Sequence, residues 1–514
     1  MDCQVVHICN CIPARISQAL AELPETLDET YERTLRGINK ANWEFAHRMF
    51  QFVSVASRPL HINELADLLA FDFKAGSIPK FHEDWRLPDP ADAVLSTCST
   101  LLAIVNDRNS PIIQFSHFSV KEFLTSTRLA EATDIIIHRY HVSMTPAHTL
   151  AAQYCLGILL HLNKDVTSDS LQYFPLAGYA AEYWADHARF EGVSQNVEDG
   201  VKQLFDPSKP HLMICVWIYG PAVPTRQQMT RNKTPLPLPQ TSLHYAASWG
   251  LHPVVDFLVI ERSQDVCSRD PTDNATPLHL ASRNGHVEAA CKLIERGGDL
   301  TAQNNDGETP LHLASKEGEV DIARILIERG ADVAAQSNYG WTPLHLASKE
   351  GEVEVARVLI ERGADVAAQN NVGLTPLHLA SYWGHIAFAR MLIESGAGLT
   401  AQNNGGSTPL HLASQKGEVD VARILIKHGG DPTAQDNDGD TPLHLASAPP
   451  LWARISPQKY AEVAHMLLEH GADLNAQNKS GFTPFVLALQ GGLAEIIHVL
   501  VQHGADSGAP DYAN

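Results

Sequence analysis

The tract Thr-Pro-Leu-His-Leu-Ala-Ser recurs at residues 276, 309, 342, 375, 408 and 441, each copy 33 residues after the one before. A period this short and this constant excludes a single globular core for that part of the chain. A unit of 33 residues cannot bury its own apolar face, so successive units must stack side by side into a solenoid. The chemistry inside one unit sets its form. In the copy that begins at Thr309, the hydroxyl suits the orphan amides of a helix start, and Pro310 takes the first helical position, where its missing N–H costs nothing. Leu311, Leu313 and Ala314 place apolar atoms on one face, and Gly318 can adopt the left-handed conformation that ends a helix. Val320, Ile322, Ala323, Ile325, Leu326 and Ile327 carry a second helix that stops at Gly330, and Asn-Asp-Gly or a similar triplet then favours a tight hairpin.

Two degenerate copies extend the series. Thr241-Ser242-Leu243-His244-Tyr245-Ala246 stands 35 residues before Thr276, and Thr483-Pro484-Phe485-Val486 stands 42 residues after Thr441. The tract, its period and these divergent ends resemble ankyrin repeats, and the resemblance implies eight repeats over 241–506, with an exposed surface that recognises other macromolecules. The unit of 42 residues exceeds the period by 9, and the surplus, from Pro449-Pro450-Leu451-Trp452 to Pro457, is expected to project as a loop between its two helices.

Seven histidines, His244, His279, His312, His345, His378, His411 and His444, follow the same period. Metal ligands must converge within a few ångströms of one ion, whereas these are spread one per repeat, so the expected role is a structural hydrogen bond between neighbouring hairpins and helix starts. Cys3, Cys9 and Cys11 near His7 lack a Cys-x2-Cys pair and predict no metal cluster, and no cofactor is expected. Eight cysteines without framework spacing point to reduced thiols in an intracellular protein, cytoplasmic or nuclear. No apolar run reaches the ~18 residues of a membrane span. From residue 241 onward the chain carries 18 Lys and Arg against 33 Asp and Glu, which is −15 of the total −21. Direct nucleic-acid binding is therefore not expected, whereas a basic protein partner would be steered to this surface.

The first 240 residues read differently. Leu27 to Leu35 begins a helical stretch; Phe45, Met49, Phe52 and Val53 repeat at helical spacing; His61 to Leu69 reads as another amphipathic helix. Leu101 to Val105 and Ile112 to Phe115, joined through Asn106 to Pro111, form a candidate hairpin, and Ser119 to Thr127 returns to helix. The expected organisation is a helical stub over 1–40, a winged-helix-like domain over 41–130, a helical domain over 131–220, a Pro-rich linker over 221–240, the repeat array over 241–506 and a flexible tail over 507–514. Tyr154, Tyr173, Tyr179, Tyr183 and Trp184 in the helical domain are expected in its core. The fold class is thus mainly α.

Three segments carry a further resemblance: Leu23-Pro24-Glu25-Thr26-Leu27-Asp28-Glu29-Thr30-Tyr31-Glu32-Arg33, Arg58-Pro59-Leu60 leading into Glu64-Leu65-Ala66, and Phe115-Ser116-His117-Phe118-Ser119-Val120-Lys121-Glu122-Phe123-Leu124. Together with the repeats they resemble the region that follows the NACHT nucleotide-binding domain in fungal ankyrin-bearing NLR-like proteins of the STAND class. In that family the winged helix relays nucleotide state and the repeats sense a ligand. The chain starts near the point where the NTPase domain would finish and has no Gly-x4-Gly-Lys-Ser/Thr loop, so nucleotide binding is not carried over. His117 with Glu122, and Asp186 with His187, could be cast as acid and base, but no nucleophile motif accompanies either pair, and no enzyme is expected.

Comparison among the repeats locates a candidate partner site. The positions three and one before the Thr, and seven and eight after it, vary freely; in ankyrin stacks they lie on the concave side. Most hold small or charged residues, but the middle repeats hold Tyr339 and Trp341, then Val372 and Leu374, with Tyr382 and Trp383. Clustered exposed aromatics are the material of interface hot spots, so Tyr339, Trp341, Leu374, Tyr382 and Trp383 are the candidate protein-binding residues, with Glu308, Glu317 and Glu350 as rim acids. The function expected is a non-catalytic scaffold or adaptor with a regulatory role. The alternatives are a nuclear ankyrin coregulator of transcription that acts through protein partners, and a fragment of a NACHT-ankyrin receptor.

Overall fold

The computed structural model describes residues 26–98, 101–107, 110–219, 234–235, 237–448 and 456–505. The chain divides into two compact units, 1–238 and 239–514.

In the first unit, helix α1 (Leu27–Arg36) is capped by Thr26, whose Oγ1 accepts from the Glu29 amide at 3.2 Å. Helix α2 (Trp43–Val55) leads to a short strand β1 (Leu60–His61) and a single helical turn α3 (Ile62–Ala66). The amphipathic stretch from His61 to Leu69 is therefore shorter as α-helix than its periodicity predicts. The buried Glu64 carboxylate accepts from the His61 amide at 2.7 Å and from both Arg58 terminal nitrogens, at 2.9 and 2.7 Å, and this fixes the helix start. Strands β2 (Phe71–Asp72) and β3 (Lys80–Phe81) pair with each other, α4 (Pro90–Cys98) follows, and β4 (Leu102–Asp107) and β5 (Ser110–Phe115) form the wing. Both wing strands run further toward the turn than expected, and the sheet has the order β1-β5-β4, with Leu60 opposite Ile113 and Ile104 opposite the same residue. The third strand escaped the sequence reading because two residues carry no alternation.

The expected helix from Ser119 to Thr127 is two helices, α5 (Phe118–Leu124) and α6 (Thr127–Ala130), with Ser126 Oγ accepting from the Leu129 amide at the break. Tyr31 of α1 bonds Ser119 Oγ at 2.7 Å and packs its ring 5.4 Å from that of Phe123, so two of the three resemblance segments meet directly. After the short α7 (Ile135–His138), the core is built on α8 (Met144–His161), which is apolar on nearly every side and packs on α2, α9 (Leu176–Ala188) and α10 (Ser194–Phe205). Helix α11 (His211–Tyr219) is the last helix described in this unit. Tyr154, Tyr179 and Trp184 are buried as expected, Tyr183 is half-buried, and Tyr173 corrects the expectation at 62% exposed. Of the expected linker over 221–240, residues 221–233 and 236 lie outside the described residues, as does the tail over 507–514.

Among the described residues the second unit has eight helix pairs. The first helices of the six regular repeats begin at Pro277, Pro310, Pro343, Pro376, Pro409 and Pro442, each immediately after its Thr. The pair Pro310–Lys316 and Val320–Glu328 is representative: Leu311, Leu313, Ala314, Ile322, Ala323 and Leu326 are buried, and Gly318 turns the chain at φ +79°. In the seventh repeat the second helix is Pro457–Glu469, 13 residues in place of the usual 9, so Pro457 belongs to a helix rather than to a projecting loop. Residues 449–455, including Trp452, lie outside the described residues.

Each repeat histidine is fully buried and ties two repeats together. The Thr342 amide donates to His345 Nδ1 at 3.1 Å, and His345 Nε2 lies 2.9 Å from the carbonyl oxygen of Leu374 in the next repeat. An amide can only donate and a carbonyl can only accept, so Nδ1 is bare and the single ring proton sits on Nε2. The same Nε2 contact recurs from His244 to Ala275, His279 to Glu308, His312 to Trp341, His378 to Ser407, His411 to Asp440 and His444 to Phe482, at 2.9–3.1 Å. The last of these holds across the insertion.

Burial holds all seven imidazoles below the ordinary value of about 6.5, with His279, His312 and His378 lowered to about 4. Since the unfolded chain binds more protons than the folded one between about pH 4 and 6.5, stability rises with pH through that window and is fully present only above it. The urea midpoint of the array, followed by circular dichroism, should therefore fall clearly between pH 7.5 and pH 5; equal midpoints would contradict the neutral-ring ladder. His345→Ala, which strands the Thr342 amide and the Leu374 carbonyl, should cost about 2–5 kcal/mol in the same measurement at pH 7.5.

Candidate functional site

The candidate surface is built on the hairpins. In the hairpin before the fourth repeat, the Ser337 amide donates to the Trp341 carbonyl and the Gly340 amide to the Ser337 carbonyl, both at 2.9 Å, which leaves Tyr339 at the tip. Gly340 is needed there: its φ is +73°, and a Cβ would stand 2.8 Å from the Asn371 amide nitrogen of the next hairpin. The same closure, Asn370 to Leu374, puts Val372 at the next tip.

Neighbouring tips are locked to one another. The Asn338 amide donates to the Asp306 carbonyl, Asn371 to Tyr339, Asn404 to Val372, Asn437 to Gly405, and Lys479 to Asp438, all at 2.9–3.0 Å. A second ladder runs beside the first, in which the amide groups of Asn338, Asn371, Asn404 and Asn437 donate to the carbonyls of Asn305, Asn338, Asn371 and Asn404. Since the tip carbonyls are committed to the neighbouring hairpins, the side chains are the main groups the tips offer a ligand.

The five predicted residues separate into two groups. Tyr339 is 64% and Trp383 50% exposed, whereas Trp341, Leu374 and Tyr382 are half-buried. Trp341 lies with its ring 6.4 Å from the His345 ring, and the Trp341 and Leu374 carbonyls are the acceptors of the His312 and His345 bonds, so both residues also serve the stack. Tyr382 and Trp383 end the helix Pro376–Trp383 and touch edge to face at 5.3 Å. No ring contact joins them to Tyr339 or Trp341 among the described residues, so the surface has one group of apolar side chains on the hairpins and another at the helix end.

Two cations escaped the sequence reading. Lys416 Nζ stands 4.2 Å over the Tyr382 ring and Lys349 Nζ 6.0 Å from the Trp341 ring, the first within ordinary cation–π range and the second at its limit. Their positions, eight and seven residues after the repeat Thr, were among those that vary, so the signal was present. Lys349 also pairs with the rim acid Glu350 at 3.0 Å, which removes much of that acid's pull on a partner. Glu317 is exposed, and Glu308 is half-buried beside the Asn304 amide group.

Of the residues considered for catalysis, His117, His187 and Asp186 have structural partners. His117 Nδ1 lies 2.6 Å from Ser119 Oγ at the start of α5. His187 is fully buried between Tyr179 OH at 2.8 Å and His148 Nδ1 at 2.9 Å, and burial lowers it to about 3, while Asp186 pairs with Arg189. A groove of about 780 Å³ lies between second helices of the last three repeats, lined by Arg423, Lys427, Glu462, His465, Met466 and His498 among others, and it contains none of the predicted residues. Among the described residues no group of His, Cys, Asp and Glu is arranged to hold a metal ion, and no helix is long and apolar enough to cross a membrane.

Profiles for ankyrin repeats match residues 212–304, 243–337, 278–370, 334–403, 392–446 and 438–479. This is an ankyrin-repeat protein. Ahead of the ankyrin array, residues 31–136 match the family described as GPI inositol-deacylase, winged helix domain. The ankyrin-repeat chain is 29% identical over 295 residues to azaphilone pigments biosynthesis cluster protein L of Monascus ruber, covering 55% of this chain and 61% of that one. It is 30% identical over 113 residues to inhibitor of Bruton tyrosine kinase of Xenopus laevis, covering 22% of this chain and 8% of that one. The chain thus spans about three-fifths of the first relative and less than a tenth of the second.

Exposure separates the aromatic residues energetically. Tyr339→Ala and Trp383→Ala should each change the urea-unfolding free energy by no more than about 0.5 kcal/mol, as surface replacements do. Trp341→Ala should cost about 1–2 kcal/mol, because part of its ring is removed from water. A large loss from Trp383→Ala would assign that ring to the packing of the stack.

Proposed function

We propose that the array is a non-catalytic protein-interaction scaffold with a regulatory role, and that it captures its partner on the hairpin and first-helix surface carrying Tyr339, Trp341, Leu374, Tyr382 and Trp383. The observation that carries this reading is the exposure of Tyr339, Val372 and Trp383, the first two on hairpins joined to their neighbours through the tip carbonyls. Large apolar side chains in water are unfavourable alone, and a rigid platform loses little conformational entropy when it binds. The net charge of −15 from residue 241 onward favours a basic protein surface over a nucleic acid.

The test is affinity capture from an extract of the source organism on the wild-type chain and on the Tyr339→Ala/Trp383→Ala variant, with quantitative mass spectrometry and melting curves of both baits. The expected result is a protein retained by the wild type and reduced at least tenfold on the variant, with the two melting temperatures within about 2 °C. Retention of the same proteins to the same extent by both baits would overturn the placement of the site.

A further inference from the structure

The hairpin tips form one line. Read along the ladder of amide bonds, the residues linked to the next hairpin through their own carbonyls are Asp273, Asp306, Tyr339, Val372, Gly405 and Asp438. From Asp306 to Asp438 the order of chemistries is acid, aromatic, aliphatic, open notch, acid. Asp306 and Asp438 are exposed, and neither carboxylate takes part in an ion pair among the described residues. Their backbones are held, because the Asp306 amide donates to Asn304 Oδ1 and the Asp438 amide to Asp436 Oδ1, both at 3.0 Å. Further acids back each end: Glu308 beside Asp306, and Asp436 and Asp440 beside Asp438. Lys479, whose amide donates to the Asp438 carbonyl, places its ammonium on the Asn437 carbonyl. On the helix ends of this face Lys349 and Lys416 lie by Trp341 and Tyr382, and Lys316 holds the position of Lys349 in the repeat that follows the Asp306 hairpin.

We infer that this line binds an extended peptide segment of a protein partner, with Lys or Arg at both ends and apolar side chains between them; the inference rests on the reading of the array as a protein-interaction surface. Packed helices stand roughly 8–10 Å apart, so the four repeat steps from Asp306 to Asp438 span about 32–40 Å. An extended strand advances ~3.3 Å per residue, which makes the segment about 10–12 residues long. The segment's basic ends face Asp306 and Asp438, its apolar centre covers Tyr339 and Val372, and the absence of a side chain at Gly405 leaves room for one large residue of the partner. A segment with a basic centre is disfavoured by Lys349 and Lys416, so the charge order gives direction to the choice of partner as well as attraction.

A display library of random 12-residue peptides, selected on the full chain, tests this. Enriched peptides should carry Lys or Arg in both outer thirds and aromatic or aliphatic residues in the middle third. On the Asp306→Lys/Asp438→Lys variant, with far-UV circular dichroism unchanged, the outer thirds should turn acidic; on Tyr339→Ala/Val372→Ala the apolar preference of the middle third should disappear. Absence of enrichment, enrichment without positional charge order, or an order that survives the charge swap would each overturn the inference. If the library result is negative while capture still depends on Tyr339 and Trp383, only the peptide line fails and the scaffold reading stands.

Discussion

The buried neutral imidazole of the six regular repeats is the interaction on which the rest of the array depends. It satisfies three requirements at once: Nδ1 takes up the amide of the Thr that starts the helix, the ring fills space at the base of the hairpin, and the Nε2 proton bridges to a carbonyl in the next unit. In the usual reciprocal cap a Glu or Gln three residues into the helix reaches back to the N-cap amide; here a histidine does so and has a second nitrogen left for the neighbouring repeat. The bond closes the base of the next hairpin and so sets the height at which its tip stands.

That arrangement explains how a surface made of turns can present large apolar side chains. Isolated loops would pay for ordering on binding, but these tips are already joined through their amides and through the asparagine side chains, so Tyr339 and Val372 project from what is in effect a continuous ribbon. The same ribbon carries acids on either side of that apolar stretch, at Asp306 and Asp438. Shape and charge are therefore encoded at different positions of the same 33-residue unit: the framework residues make the ribbon, and the residues three before the Thr decide what it displays.

Legibility differed between the two units for physical reasons. In the array, a fixed period repeats each local decision several times, so Thr, Pro, His and Gly could be assigned roles that the coordinates then place at measurable distances. In the amino-terminal unit each element occurs once. The helix of Leu27 and the wing hairpin were readable from periodicity and alternation, whereas β1 was not, because Leu60 and His61 become a strand only by pairing with Ile113 and Ile112. The stretch from His61 to Leu69 shows the same limit, since Arg58 and the buried Glu64 carboxylate, not propensity, determine where its helix begins.

For the candidate site, the sequence by itself determined which residues depart from the repeat and therefore which could be read by a partner. It could not determine how they divide, because exposure is a property of neighbours. Trp341 and Tyr339 are two residues apart, yet one is half-buried near His345 and the other stands in solvent; Tyr382 and Trp383 are adjacent, yet only the first lies beneath Lys416. Periodicity decided the scaffold, since burying one face of every unit is a demand each unit makes locally. The order of tips into an acid-bounded apolar line arises only when hairpins 33 residues apart are brought side by side, and that was decided by the tertiary structure.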